Sequence, residues 1–382
     1  MALIKVGIVG YGSAAKSFHL PFILALPDYY EVVAILQRAE APENPGSAKK
    51  GSHCTVDFPS IRHYRREEDF FADPEISFVV VATRDDSHAY FAEQALRAGK
   101  NVIVDKPFAR SAEEADKVIE LAKETGLVLS CFQNRRYDGD FKTVREVFEK
   151  NILGDIVEAE IHYDFDRAPW LHFLTDKEYT PGSGHTFGLG THNIDQAYVL
   201  FGRPASVTAF YRVLRGIESE VEDSFTIILQ YDGPKKNLLV TVKTSVVSPM
   251  AQQLKFWIRG TKGSYTKYQQ RSTCPQEEQI AQGVRPLDPA FGAEAEGLQG
   301  TLTTYEKAET PGIEQSFDKE AGRYVGRYPT ARGEWMGVYK DVANALNGKA
   351  ELAVKASESR DVLRIIELAR ESHEKGVTVP WR

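Results

Sequence analysis

The fold is decided by the stretch IKVGIVGYGSAA, which runs from Ile4 to Ala15. Its apolar first half predicts a buried parallel strand, and the glycines after it predict a tight turn into a helix. In this G-x-G-x-x-A pattern Gly10 forms the turn, Gly12 lets the backbone approach a pyrophosphate, and Ala15 stands at the helix–strand contact. The next helix directs its N-terminus at the phosphates. The motif predicts a dinucleotide-binding site, with a plain strand-to-helix turn as the alternative; its residues are Gly10, Tyr11, Gly12, Ser13, Ala14 and Ala15.

Short apolar runs continue to alternate with helical patterns up to about residue 132. Helices are predicted at Ser87–Ala98 and Ser111–Thr125, the second with a serine N-cap and with Gly126 at its end. Strands separated by helices predict a parallel, doubly wound α/β sheet, with ligands at the carboxyl ends of its strands. Residues 1–134 are therefore predicted to form an N-terminal Rossmann domain. Its further strands are Glu31–Leu36, Cys54–Asp57, Ile76–Ala82, Asn101–Val104 and Leu127–Phe132.

The pattern changes after Arg135. A region of strand-like runs follows. It lies between a predicted helix over Asp140–Glu149 and two closing helices, Glu334–Leu346 and Ser357–Lys375. The poorly periodic residues 274–332 are typical of an excursion packed on a sheet or partly mobile. Residues 135–382 are predicted to form a C-terminal α+β domain. Its largely antiparallel open sheet contains Ile156–Phe165, Val207–Val213, Ser224–Tyr231, Leu238–Ser245, Leu254–Arg259 and Tyr265–Tyr268.

Composition limits the class of partner. A chain of 382 residues usually forms two domains, and its net charge of −7 argues against nucleic acid or an anionic membrane as the main partner. No apolar run approaches the roughly 18 residues that span a bilayer. The chain enters its first strand at once, which predicts no signal peptide. Because Cys54, Cys131 and Cys274 are widely spaced, reduced thiols and a cytoplasmic location are expected.

The end of the second strand bears on cofactor choice. An NAD site expects Asp or Glu there, to hold the ribose 2′-hydroxyl. The chain instead has Leu36-Gln37-Arg38, and its first carboxylate follows only at Glu40. Since Arg38 is able to pair a 2′-phosphate, the sequence favours NADP(H) over NAD; a solvated loop arginine is the alternative.

Two segments carry candidate catalytic residues. The fifth strand ends in Asp105-Lys106-Pro107, where Lys106 is either a catalyst beside the cofactor or an ordinary surface lysine. In the glycine-rich run 181–195, His192 and Asp195 share one helix face, and His192 is either a proton-transfer group or the cap of a buried turn. The spacing of His185, His192 and Asp195 matches no zinc pattern, so no metal is predicted.

Five segments resemble, in order, the glucose–fructose oxidoreductase / inositol dehydrogenase (GFO/IDH/MocA) family, and most closely its NADP-dependent scyllo-inositol dehydrogenase-like branch. They are Gly7–Ala15, Asp105–Phe108, Phe132–Asp138, Gly182–Asp195 and Val377–Val379. The resemblance implies hydride transfer between NADP(H) and a hydroxyl or carbonyl carbon of a polyol, inositol or sugar-like substrate. It also implies that residues 135–382 form the substrate-binding and oligomerisation domain, whose open sheet is the interface of a homodimer or a dimer of dimers.

The resemblance further implies roles for single residues. Lys106 matches the lysine of the family's Glu-Lys-Pro, with Asp105 in place of Glu, and His192 matches its catalytic histidine. The segment after the fourth strand, with Thr83, Ser87 and His88, resembles one that lies along the cofactor, although Arg84 stands where proline is usual.

One departure concerns Gly188, because the family usually has an aspartate there, four residues before the histidine. Either another carboxylate replaces it, or Lys106 carries most of the proton transfer, or the protein is an NADP-binding sensor with little turnover. The candidate carboxylates are Asp164, Asp166 and Asp195.

Overall fold

The computed structural model describes residues 3–270 and 275–382, which divide into two compact units. Unit 1 comprises the chain up to Asn134 together with Arg285–Asp288 and Trp335–Arg360. Unit 2 comprises Arg135–Val284, Pro289–Glu334 and Asp361–Arg382. The first break in the chain therefore falls at residue 134, but the chain later returns twice to unit 1.

Unit 1 is built on a six-stranded sheet in the order β3-β2-β1-β4-β5-β6, and every neighbouring pair is parallel. The central strands β1 and β4 are buried because their runs of Val and Ile are covered on both faces. The chain order reverses between β1 and β4, which is where such sheets bind ligands. The strands are β1 (Ile4–Val9), β2 (Tyr30–Leu36), β3 (Arg62–Tyr64), β4 (Phe78–Val81), β5 (Asn101–Val104) and β6 (Leu129–Cys131).

The helices of unit 1 begin with a π-helical turn, Ala15–His19, that leads directly into α1 (Leu20–Leu24). Of the predicted helix ends, those of α5 (Ala112–Thr125) are confirmed: Ser111 accepts a hydrogen bond from the Glu114 amide, and Gly126 ends the helix in the left-handed region. The remaining helices in this part of the chain are α2 (Cys54–Asp57), α3 (Glu67–Ala72) and α4 (His88–Arg97).

The predicted strand at Cys54–Asp57 is wrong, because these residues form helix α2. The β-branched Thr55 and Val56 suggested a strand, but the His53 side chain accepts a hydrogen bond from the Thr55 amide and so caps a helical turn. The strand at this edge of the sheet is β3 instead, paired with β2.

Unit 2 contains a ten-stranded sheet in the order β14-β15-β13-β12-β11-β7-β10-β9-β8-β16. All its pairs are antiparallel except β7 with β10. The elements up to residue 328 are α6 (Gly139–Glu149), β7 (Ile156–His162), α7 (Thr191–Phe201), β8 (Ser206–Arg212), β9 (Ser224–Gln230), β10 (Leu239–Thr244), β11 (Gln253–Gly260), β12 (Gly263–Gln269), α8 (Pro275–Ala281), β13 (Gly300–Thr304), β14 (Glu314–Asp318) and β15 (Arg323–Tyr328).

The α/β fold class is confirmed, but the region 274–332 is more regular than its sequence predicted. Beyond Cys274, which lies outside the described residues, it contains α8 and three short strands that extend the sheet. These strands lack a clear alternation of apolar and polar residues, because Gly300, Thr304 and Gln315 occupy buried positions.

The closing helices also differ from the prediction that residues 135–382 form one domain. Helix α9 (Met336–Leu346) clusters with unit 1, where its Tyr339 hydroxyl lies 2.6 Å from Nδ1 of His19 and its Tyr339 carbonyl accepts from the Tyr30 hydroxyl. The helix follows Trp335, a fully buried residue. Helix α10 (Ala356–Lys375) and strand β16 (Val379–Pro380) end the chain. Within the described ranges, no helix is long and apolar enough to cross a membrane.

Candidate active site

The carboxyl ends of β1, β2 and β4 border a cavity of about 850 Å³ in unit 1. This edge contains the switch point of the sheet, and a dinucleotide is expected to bind there. The loops after these three strands supply most of the lining. Eight of the residues predicted to bind the cofactor line the cavity: Gly10, Tyr11, Gly12, Ser13, Ala14, Arg38, Thr83 and Ser87.

The two motif glycines serve different purposes in this cavity. Gly10 has φ +99°, and a Cβ there would lie 2.6 Å from the Ala82 carbonyl oxygen, so both the backbone angle and the close approach require glycine. At Gly12 a Cβ would meet nothing within 4 Å. Gly12 therefore faces open space, which is the clearance that a phosphate group needs to approach the backbone.

Four of the predicted cofactor residues do not line the cavity: Ala15, His88, Asp105 and Lys106. Ala15 is fully buried, as the predicted helix–strand contact requires. His88 is buried with Nδ1 2.6 Å from the Pro107 carbonyl oxygen and Nε2 3.2 Å from that of Thr83. It thus connects the loop after β4 to the loop after β5.

Asp105 fixes the start of the loop that carries Lys106. Its Oδ1 accepts a hydrogen bond from the Lys106 amide at 2.7 Å, and its Oδ2 lies 3.4 Å from Nε2 of His19. Burial raises the pKa of the Asp105 carboxyl, but the neighbouring His19 imidazole, together with His88 and Lys106, holds it below its usual value. The Lys106–Pro107 peptide bond is cis. Asp105 is therefore an anionic support for the Lys106 backbone.

In unit 2 the glycine-rich run forms a π-helix, Thr186–Gly190, that continues into α7. His192 lies in the first turn of α7 and is buried, with its ring nearly parallel to that of Tyr163 and the ring centroids 6.1 Å apart. The next residue, Asn193, donates from Nδ2 to the Lys243 carbonyl oxygen at 3.0 Å. This bond holds the start of α7 on β10 and so fixes His192.

The three candidate carboxylates each have a partner. Both oxygens of Asp195 accept from Arg136, with Nε–Oδ2 2.8 Å and Nη2–Oδ1 2.6 Å, in a buried bidentate pair. Asp164 Oδ2 lies 3.1 Å from Nδ1 of His162, and Asp166 accepts from the Ser248 amide. Which carboxylate supports His192 stays a prediction.

Gly188 lies in the π-helix with its amide 3.0 Å from the Gly184 carbonyl oxygen. A Cβ at Gly188 would meet nothing within 4 Å. The position therefore has room for the Cβ of the aspartate that the family usually places there.

Sequence reasoning missed Tyr163, whose ring lies near that of His192, and Lys255, which lies against Tyr163. The Lys255 ammonium is 3.2 Å from the centroid of the Tyr163 ring, and both side chains are fully buried. Burial lowers the pKa of Lys255 to about 8, although Asp140 and Asp138 oppose this shift. A lysine inside the apolar run of β11 was the only sequence signal.

Comparison with known proteins extends these observations. Residues 4–133 match an oxidoreductase family with an NAD-binding Rossmann fold, and residues 141–266 match the GFO/IDH/MocA C-terminal domain. The scyllo-inositol 2-dehydrogenase (NADP(+)) IolW of Bacillus subtilis is 31% identical over 98% of this chain and 95% of its own. An uncharacterized oxidoreductase of Schizosaccharomyces pombe is 35% identical over 99% of this chain and 100% of its own. The crystal structure of a putative oxidoreductase from Bacteroides fragilis has a TM-score of 0.81 and 33% identity, and the match covers 100% of both chains.

The glycine-rich turn, the cavity at the switch point and these matches define the class as an oxidoreductase with an NAD-binding Rossmann fold. Within that class, the chain belongs to the GFO/IDH/MocA family. The family resemblance predicted from the sequence is therefore confirmed. The family acts on small-molecule substrates.

Proposed function

We propose that the protein is an NADP(H)-dependent dehydrogenase or reductase that acts on a CH–OH group or the corresponding carbonyl of a polyol, inositol or sugar-like substrate. The observation that carries the cofactor choice is Arg38, which lines the cavity and whose guanidinium has no hydrogen bond or ion pair to any residue in the described ranges. The first carboxylate after β2, Glu40, is already paired with Arg65 at 2.8 Å. An unpaired guanidinium at this strand end suits a 2′-phosphate.

In the proposed reaction the bound nicotinamide accepts or supplies the hydride. Lys106 hydrogen-bonds the reacting oxygen of the substrate, and His192 exchanges the proton of that oxygen. Asp105 and His88 hold the loop that carries Lys106, and Asn193 holds the first turn of α7 that carries His192. The name of the similar enzyme, scyllo-inositol 2-dehydrogenase (NADP(+)), supports the cofactor and the substrate class.

Arg38→Ala is expected to raise the dissociation constant for NADP(H) by about ten- to a hundredfold, the value of a lost charge-assisted hydrogen bond. The dissociation constant for NAD(H) should stay within about twofold, because NAD lacks the 2′-phosphate. Titration of both dinucleotides by protein fluorescence measures this. The matched control is Arg66→Ala, an exposed arginine paired with Glu68 that does not line the cavity. Equal or tighter binding of NAD by the wild type would overturn the NADP assignment.

Gly188→Asp is expected to change kcat by less than about tenfold, because a working enzyme already supports His192 by other means. The open space at Gly188 accepts the Cβ of the new side chain without a clash. Gly297→Asp is the control, since a Cβ at Gly297 also meets nothing within 4 Å. A rise in kcat of about 10² or more for Gly188→Asp alone would favour the second candidate function, an NADP-binding sensor with impaired turnover.

We also propose that the protein is a cytoplasmic homo-oligomer, a dimer or a dimer of dimers. Along β8, Val207, Ala209 and Tyr211 are buried, whereas Phe210 on the opposite face is 56% exposed, so this face of the sheet presents at least one large apolar side chain for a partner to cover. A partner's sheet is the proposed cover for this face. Light scattering at micromolar concentration should give at least twice the monomer mass of 42.8 kDa, and the monomer mass would contradict the proposal.

A further inference from the structure

Three side chains with metal-binding atoms meet near the ends of β2 and β3 in unit 1: His53, Cys54 and His63. One ring nitrogen of each histidine and the Cys54 sulfur all lie within 4.8 Å of one another. Sγ of Cys54 is 3.9 Å from Nδ1 of His53. The two imidazole rings are nearly perpendicular, with centroids 4.6 Å apart. Two imidazoles and a thiol form a donor set that suits zinc-type cations.

The surrounding carbonyl groups set the tautomers of both histidines. Nε2 of His63 lies 2.8 Å from the Gln37 carbonyl oxygen, and Nε2 of His53 lies 3.3 Å from that of Ala39. Since a carbonyl only accepts, each Nε2 carries the proton, and Nδ1 of each neutral ring therefore keeps its lone pair. The Thr55 amide donates to that lone pair of His53 at 3.2 Å, which is consistent with this tautomer. Histidines that bind metals usually have this second hydrogen bond to a carbonyl or carboxylate.

Of the three distances between ligand atoms, the one between Sγ of Cys54 and Nδ1 of His53 is close to that of a tetrahedral site, and the other two are at most 4.8 Å. Zinc bonds of about 2.3 Å to sulfur and about 2.0–2.1 Å to nitrogen put neighbouring ligand atoms roughly 3.5 Å apart. The observed 3.9 Å between Sγ and Nδ1 needs a shift of only a few tenths of an ångström. His53 and Cys54 are adjacent and His63 follows nine residues after Cys54, which is not a spacing typical of zinc motifs. This explains why the sequence predicted no metal.

We propose that His53, Cys54 and His63 bind a zinc-type divalent cation, with the fourth coordination position open to water. The cation would gain three protein ligands but would displace both the Thr55 amide and the Thr55 hydroxyl from Nδ1 of His53. It would also displace a proton, because burial raises the pKa of the Cys54 thiol to about 11.

The cluster is coupled to the end of β2, where Arg38 lies. Gln37 and Ala39, the residues on either side of Arg38, line the cofactor cavity, and their carbonyl groups accept from His63 and His53. A cation that fixes both rings therefore also fixes this backbone. By thermodynamic linkage, cation and dinucleotide change each other's affinity by the same factor.

The test uses the full chain, stripped with a chelator and titrated with Co²⁺ and Zn²⁺. The wild type should take up one equivalent with the thiolate-to-cobalt absorption band of a cysteine ligand. Cys54→Ser should remove the band, and His63→Gln should weaken uptake at least about tenfold. Cys131→Ser, at a buried cysteine on β6, is the matched control and should behave as the wild type.

Two outcomes would overturn the proposal. The first is a wild type without the cobalt–thiolate band at millimolar Co²⁺, a result that does not depend on whether any variant folds. The second is an unchanged band in Cys54→Ser. The coupling is measured separately, as the dissociation constant for NADP with and without Zn²⁺, and an unchanged value would overturn the coupling. The cobalt band itself requires neither NADP binding nor turnover.

Discussion

Replacing Lys106 with methionine is expected to lower kcat by about 10²–10⁴-fold, the usual contribution of a general acid–base group. Lys106 is the second residue after β5, and the Asp105 carboxylate holds its amide at 2.7 Å. The carboxyl end of β5 belongs to the edge of the sheet where ligands bind. Methionine keeps a similar length and an unbranched shape but cannot hydrogen-bond the reacting oxygen as an ammonium does.

The same substitution should leave the dissociation constant for NADP(H) within about threefold, because Lys106 does not line the cofactor cavity. Steady-state rates and fluorescence titration measure the two effects separately. Lys117→Met is the control, since Lys117 is an exposed residue on α5 paired with Glu113. A Lys106→Met variant with near-normal kcat would remove this lysine from the mechanism.

Arg136→Met is expected to lower the free energy of unfolding by about 3–5 kcal/mol, because it leaves the carboxylate of Asp195 buried without its main partner. The exposed fractions of the two side chains are 7% and 1%, so water does not replace the lost donors. Asp195 lies in α7, three residues after His192, and the start of this helix should loosen first. Urea unfolding followed by circular dichroism measures the loss.

Two further variants separate a buried charge from a general loss of packing. Arg136→Met combined with Asp195→Leu should recover part of the stability, since neither charge of this pair is then left buried. Arg145→Met breaks a pair with Glu149 on the surface of α6 and should cost less than about 1 kcal/mol. Equal losses for Arg136→Met and Arg145→Met would show that the buried pair has no special role.

Features set by neighbouring residues were predictable from the sequence. The stretch from Ile4 to Ala15 predicted β1 and its turn, and Gly10 has the positive φ that this turn requires. The caps of α5 were read correctly because Ser111 and Gly126 act on residues within one turn. Local rules failed at α2, where the cap is His53, a residue outside the usual set of Ser, Thr, Asp and Asn.

Features that join distant residues were not predictable. The spacing of His192 and Asp195 suggested a shared role, but Asp195 is held by Arg136, 59 residues earlier in the chain. Helix α9 clusters with unit 1, where its Tyr339 contacts His19, 320 residues earlier. Periodicity identifies an apolar helix face but does not say which surface covers it.

The central claim is that this chain transfers hydride with NADP(H). Its most direct test is the initial rate of nicotinamide oxidation or reduction with a panel of inositols, other polyols, aldoses and ketoses, run in both directions with each dinucleotide. We expect turnover with at least one substrate, a higher kcat/KM with NADP(H) than with NAD(H), and loss of that turnover in Lys106→Met. A wild type that binds NADP tightly but turns over nothing in the panel, or that works equally well without Lys106, would contradict the claim.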